Sequence, residues 1–183
     1  SRAYRTELRD RGAPDIIRRY ESRAAAKGEF RGMGVGLQAI DTHTYGIHPG
    51  ELAILAAGPK TGKSFWQCWV ALREFERGRR VALFTLENSV EMMLDRIACM
   101  ACVVDAQAWE RGEATEQEID RVRSWVEDVM SGRYEGFLHV HKPDIGQRSF
   151  QSMVREAELL GAHDLLIDQL TFIELGGDGR RPK

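Results

Sequence analysis

The spacing of apolar positions divides the chain into a polar N-terminal stretch and a longer region where short apolar runs alternate with amphipathic segments. The stretch "YRTELRDRG" is helix-prone, breaks at Gly12-Ala13-Pro14 and resumes as "DIIRRYESRAAAK". Amphipathic pieces this short are marginal alone, so they are expected to dock on this domain or on a neighbouring subunit. "FRGMGVGLQAIDTHTYGIHPG" is rich in glycine and reads as a linker entering a compact turn. This places a boundary between linker helices, residues 1–34, and a core, residues 35–183.

Within the core, Leu52–Ala57 is a short, near-continuous apolar run and predicts a strand. From Gly62 the period becomes helical, with Phe65, Trp69 and Leu72 on one face and Cys68 and Phe75 close to it; Gly78 suits the C-terminal cap. Arg79–Glu87 ("RRVALFTLE") predicts a second strand. "NSVEMMLDRIACMACVV" predicts a helix, with Asn88 and Glu91 spaced as a capping box. Its expected buried stripe is Val90, Met93, Leu94, Ile97, Ala101 and Val104. Thr115 and Glu118 make another capping-box pair, opening a helix with Ile119, Val122, Val126 and Val129 or Met130 inward. "GFLHVHKP" predicts a third strand, Phe150–Leu160 a helix stopped near Gly161, and "HDLLIDQLTFIEL" contains a fourth strand. Apolar strands buried on both faces and joined by helices imply an α/β architecture with a mainly parallel sheet flanked by helices.

Composition narrows the picture a little. A chain of 183 residues, 43% hydrophobic and 30% charged, can bury one globular core. The formal charge of −2 gives no global basic field for nucleic acid. Ser1–Met33 does hold nine Arg/Lys against five Asp/Glu, and reads as a solvated helical region. Cys99 and Cys102 lie three apart on one helical face but have no further Cys or His in metal-site spacing, and three cysteines make no disulfide framework, so with Cys68 they read as core residues of a reducing compartment. No apolar run reaches transmembrane length and no signal-peptide core opens the chain, which implies a cytoplasmic protein without a membrane partner.

The chemistry concentrates in "AGPKTGKS", Ala57–Ser64. A phosphate cradle needs successive backbone N–H groups, a helix N-terminus behind them and a cation aimed at the outer phosphates. Gly58, Pro59, Lys60, Thr61 and Gly62 supply the turn, Lys63 the cation and Ser64 a hydroxyl placed for Mg²⁺. The Lys60 side chain reads as a solvated part of that loop. Ala57 stands where the usual motif has glycine, and a one-carbon side chain is tolerated there if φ is negative. Asp168 ends the apolar "LLID" at the carboxyl edge of the sheet, where a carboxylate can hold Mg²⁺ through water. Glu87, one strand after the loop, can reach a water in line with the terminal phosphate and is the candidate catalytic base beside Lys63. His139 and His141 alternate onto one strand face and read as structural rather than as metal ligands.

These residues together resemble the C-terminal ATPase domain of DnaB-type replicative DNA helicases, within the RecA-like superfamily. Members of that family commonly read A-x-P-x-x-G-K-S/T, with the same alanine and proline. "FTLEN" resembles the family's F-S-L-E segment, which puts Glu87 at its proposed catalytic glutamate, and Asp168 at its Walker B aspartate. The lead-in "GLQAIDTHTYGIHPGEL" brings Leu37, Asp41, Gly46, Pro49 and Gly50 into register. The resemblance covers roughly residues 35–174. It implies a RecA-like P-loop NTPase core that uses ATP and Mg²⁺ and hydrolyses ATP to translocate on single-stranded DNA during replication. It also implies a homo-oligomer, a hexameric ring, a primase or helicase loader as partner, and a bacterial or phage source. A primase-interacting domain would precede Ser1. Further strands with DNA loops and an arginine finger would follow Lys183, so the core is expected to be partial and weakly active alone.

Two departures keep alternatives open. Gln169-Leu170-Thr171 stands where the family usually has Tyr-Leu-Gln, and a threonine there is closer to the recombinases and circadian-clock ATPases of the superfamily. "HVHKPD" lacks acidic residues often found after the third strand. A recombination or branch-migration ATPase, and a regulator that binds nucleotide without hydrolysing it, are the alternative readings.

Overall fold

The structure is a computed structural model and describes residues 13–25 and 32–174. The N-terminal piece "YRTELRDRG" and the C-terminal "GGDGRRPK" lie outside the described residues. Helix α1 spans Ala13–Ala25 and leaves Ile16, Ile17 and Tyr20 exposed.

Among the described residues three strands form one parallel sheet: β1 (Arg80–Thr85), β2 (Phe137–His141) and β3 (Asp164–Asp168), in the order β2-β1-β3. The central strand pairs Ala82 with His139 on one side and Leu165 on the other. Strand alternation then sorts its residues between two helical layers. Val81 and Leu83 face helices α3 (Lys63–Glu76) and α4 (Val90–Cys102), burying Cys68, Leu72, Phe75, Met93 and Ile97. Ala82 and Phe84 face α7 (Phe150–Leu159) with Met153 and Ala157. Helices α5 (Ala106–Glu110) and α6 (Glu116–Met130) cover the outside of α4, where Ala98, Cys102 and Val122 meet Trp109 and Trp125.

The expected strand at Leu52–Ala57 is not formed. That segment belongs to no strand, and Leu52, Ile54 and Leu55 are 78%, 65% and 45% exposed. The sheet ends at β2 and β3, and among the described residues neither outer edge pairs with this segment; an apolar run becomes a strand only where a ladder partner satisfies its backbone.

Helix limits follow the expected signals closely, with three corrections. Thr115 and Glu118 do close a capping box: Glu118 N donates to Thr115 Oγ1 (3.3 Å) and Thr115 N to Glu118 Oε2 (2.8 Å). The cap of α4 is instead Ser89, whose Oγ accepts from Met92 N at 3.2 Å, because the Asn88 side chain is engaged elsewhere. The buried stripe of α4 is Met93, Ile97, Ala98, Cys99 and Cys102, and Leu94 is 47% exposed. Likewise Phe65 on α3 and Val126 and Met130 on α6 are exposed, while Trp125 and Val129 turn inward. On α4 the shift has a clear cause: the helix packs against α3, β2, α5 and α6, so its buried arc is wider than a single-face stripe.

All three cysteines are buried and unpaired, as expected of core residues. Burial pushes the Cys68 thiol up to about 12 and Cys99 up to about 11.

One polar cluster ties the N-terminal ends of β1 and β3 to the end of α3. Arg79 grips Asp164 through two hydrogen bonds of 2.6 Å, and its Nε lies 3.0 Å from Glu74 Oε2. Glu74, 1% exposed, also accepts from Arg77 (2.7 Å) and from Gly34 N (3.0 Å), anchoring the lead-in segment. Burial, against these partners, holds the Glu74 carboxyl above the usual carboxylate range.

Candidate phosphate-binding site

The lead-in to the site is a small closed structure. Met33 and Ile47 form an antiparallel bridge around helix α2 (Gln38–Thr44). The Asp41 carboxylate accepts from Val35 N at 2.8 Å and Gly36 N at 3.1 Å, which closes the turn that precedes the loop.

The loop Gly58–Gly62 then runs into α3, with Gly62 at the N-cap. Lys60 (φ 59) and Gly62 (φ 93) adopt left-handed backbone on either side of Thr61. Such alternation turns successive N–H groups toward one side and makes an anion nest. Among the described residues no acceptor engages the N–H groups of Lys60, Thr61 or Gly62. Thr61 Oγ1 braces the turn by donating to Gly58 O at 2.7 Å. Lys63 Nζ donates to Ala57 O at 3.0 Å and Gly58 O at 2.7 Å, so the ammonium is folded back over the loop. Pro59 lies at the exposed tip. Free N–H donors, a helix N-terminus and a cation at one place suit a phosphate group.

The second half of the site comes from the sheet. Asp168, at the C-terminal end of β3, is 1% exposed. Asn88, just past β1, donates through Nδ2 to Asp168 Oδ2 at 3.1 Å and reaches Ser64 Oγ at 3.4 Å. One amide therefore brings the Ser64 hydroxyl and the Asp168 carboxylate together, the pair a hydrated Mg²⁺ would require. Gln67 joins them from α3, donating to Ile167 O at 3.0 Å, while its Oε1 is buried without a hydrogen-bond partner. Thr85 Oγ1 fixes the turn by donating to Asn88 O at 3.1 Å.

Glu87 sits exposed on the same carboxyl edge, one residue before Asn88, and its backbone carbonyl accepts from Lys142 Nζ at 3.0 Å. Ser64, Lys63 and Asp168 are thus gathered at one end of the molecule, with Glu87 at its rim. Sequence reasoning assigned Asn88 to a helix cap and passed over Gln67. The one available signal was spacing, since Gln67 falls one turn after Lys63 on the same helix.

The family model for the DnaB-like helicase C terminal domain matches residues 32–182. The chain belongs to this family. Membership decides between the branches that Thr171 left open, in favour of the DnaB-like one. The replicative DNA helicase DnaC of Bacillus subtilis is 30% identical over 156 residues, covering 84% of this chain and 33% of that protein. The replicative helicase DnaB of Geobacillus stearothermophilus is 29% identical over 92 residues, 50% of this chain and 20% of the relative. The chain thus spans about a third or less of the curated relatives it matches. In fold it resembles a solved ATPase domain (TM-score 0.78, 17% identity, 97% of this chain and 62% of that one). It also resembles a DnaB-like replicative helicase solved to show its interactions with primase (TM-score 0.76, 16% identity, 98% and 42%). The RecA-like class is therefore the fold of this DnaB-family domain. No helix among the described residues is long and apolar enough to cross a membrane.

Asn88→Ala tests the bridge. It leaves the buried Asp168 carboxylate short of a donor, which costs about 1–3 kcal/mol of stability. Urea denaturation should show that loss. A nucleotide-binding titration should show a raised Mg²⁺ requirement, and an unchanged requirement would separate Asn88 from the site.

Proposed function

We propose that this chain is the motor part of a replicative DNA helicase, hydrolysing ATP to translocate on single-stranded DNA. The observation that carries the reading is the Asn88-linked pair of Ser64 and Asp168 beside the Lys63 loop, in a domain of the DnaB-like family. Lys63 and the loop N–H groups bind and stabilise charge on the phosphates, as preorganised donors do in phosphoryl transfer. Ser64 and Asp168 are suited to hold Mg²⁺, which when bound neutralises charge on phosphate oxygens. Glu87 orients or deprotonates the attacking water.

The proposal includes the rest of the assembly. Residues 1–34 act as the linker, of which residues 1–27 pack on the next subunit of a hexameric ring, a role that suits the exposed Ile16, Ile17 and Tyr20. Residues 35–183 form the ATPase core. Primase or a loader is the expected protein partner, in the cytoplasm of a bacterium or of a phage-infected cell. An arginine finger supplied by a neighbour raises turnover by about 10³–10⁵ in related hydrolases, so the isolated chain should turn over slowly.

The deciding experiment compares ATP turnover with and without single-stranded DNA, and strand separation, for the protein and for Glu87→Gln. The variant should keep nucleotide binding and lose about a hundredfold or more in turnover. Equal turnover in the two proteins would remove Glu87 from catalysis. Tight ATP binding with no turnover in either would support a nucleotide-ordered regulator instead.

A further inference from the structure

We propose that His139, His141 and Glu156 form a binding site for a divalent transition-metal ion, Zn²⁺ being the best match. The two histidines lie two residues apart on β2 and therefore share a face of the sheet, the one covered by α7. Glu156 projects from α7 between them. Its Oε1 lies 3.3 Å from His139 Nε2 and 2.6 Å from His141 Nδ1. One donor atom from each of the three residues falls within 4.8 Å of the others.

The arrangement fits zinc in donor type and in size. Two imidazoles and one carboxylate are a ligand set zinc takes with its fourth position open to water. Donors about 2.0–2.1 Å from a tetrahedral ion stand about 3.3 Å apart, the separation already present between His139 and Glu156. The shorter contact to His141 has to open by less than an ångström. Glu156 is about a third exposed (34%) and free to make that rotation, and the same exposure admits solvent to the fourth position.

The surroundings hold the rings in place. Phe137 stacks on His139, with centroids 6.4 Å apart, and the Phe84 ring packs 5.7 Å from His141. The site is separate from the phosphate loop, because α3 packs on the opposite face of the sheet. A bound ion would clip β2, an edge strand bonded only to β1 among the described residues, onto α7. The pair that looked structural in sequence thus acquires its third ligand from a helix that only folding brings near.

Zn²⁺ titrated calorimetrically into the metal-free, untagged chain should bind with one equivalent. Co²⁺ should give the visible absorption of a four-coordinate ion with nitrogen and oxygen donors. His139→Gln and His141→Gln should each weaken binding by at least about a hundredfold, more than the loss of an outer-sphere partner. His43→Gln, on α2, should leave it unchanged. Zn²⁺ should also raise the unfolding temperature of the unmodified chain by mass action and shield His139 and His141 from diethyl pyrocarbonate. The shielding readout needs no variant, so a substitution that misfolds does not spoil the test. Failure of the unmodified chain to bind one equivalent, full binding by both variants, or unshielded histidines would each overturn the site.

Discussion

Lys63→Ala is expected to lower ATP turnover about 10²–10³-fold, the usual consequence of removing one preorganised charge from a transition-state site. Binding should weaken as well, since the ammonium is held on the loop by the Ala57 and Gly58 carbonyls, at the mouth of the free N–H groups. Both effects follow from position. Lys63 opens α3 immediately after the left-handed Gly62, so it cannot leave the loop without unwinding the helix start. A fluorescent ATP analogue reports the binding loss, and phosphate release reports turnover. Wild-type turnover in the variant would place the nucleotide somewhere other than this loop. Because Lys63 is solvent-accessible at the loop and outside the core clusters, its removal should leave the unfolding transition almost unmoved.

Arg79→Met should have the largest effect on stability, about 3–5 kcal/mol, as expected when one member of a buried ionic cluster is removed. The guanidinium is the counter-charge for Asp164 and lies against Glu74, two side chains that are 4% and 1% exposed. Without it both carboxylates stay buried, Glu74 keeping its ion pair with Arg77 and Asp164 losing its guanidinium. The pH dependence has a definite sign. Burial already raises the Glu74 carboxyl above its unfolded value, so its favourable contribution is complete below the unfolded value and is lost as pH rises through the folded one. Loss of Arg79 raises the folded value further. The deficit of the variant should therefore be small at low pH and grow as pH climbs through and above the carboxylate range. Urea denaturation at several pH values reads this directly. A small, pH-independent loss would mean that solvent screens the cluster.

Much of the α/β order was legible because periodicity and caps are local. Leu83 and Leu72 announce a strand and a helix through their neighbours in sequence, and the Thr115–Glu118 capping box needs only residues three apart. The candidate phosphate loop stands out in the sequence for the same reason. Gly62, Lys63 and Ser64 are contiguous, and their chemistry depends on a turn that the same residues build.

Pairing and convergence were decided by the tertiary structure. Hydrophobicity at Leu52–Ala57 says that the segment resists water, but not whether it pairs with a strand of the sheet. Asn88 looked like a cap because capping is a short-range option for that side chain. The sheet instead brings Asp168 within reach, 80 residues along the chain, and a buried carboxylate outbids a solvent-exposed helix end for the amide. His139 and His141 carried no meaning beyond a strand face until α7 set Glu156 against them. Local backbone preference and burial period are written in neighbouring residues, so the sequence alone determined most of the elements and the turn of the candidate loop. Which side chains meet across the sheet depends on how those elements pack, and only the folded chain decided that.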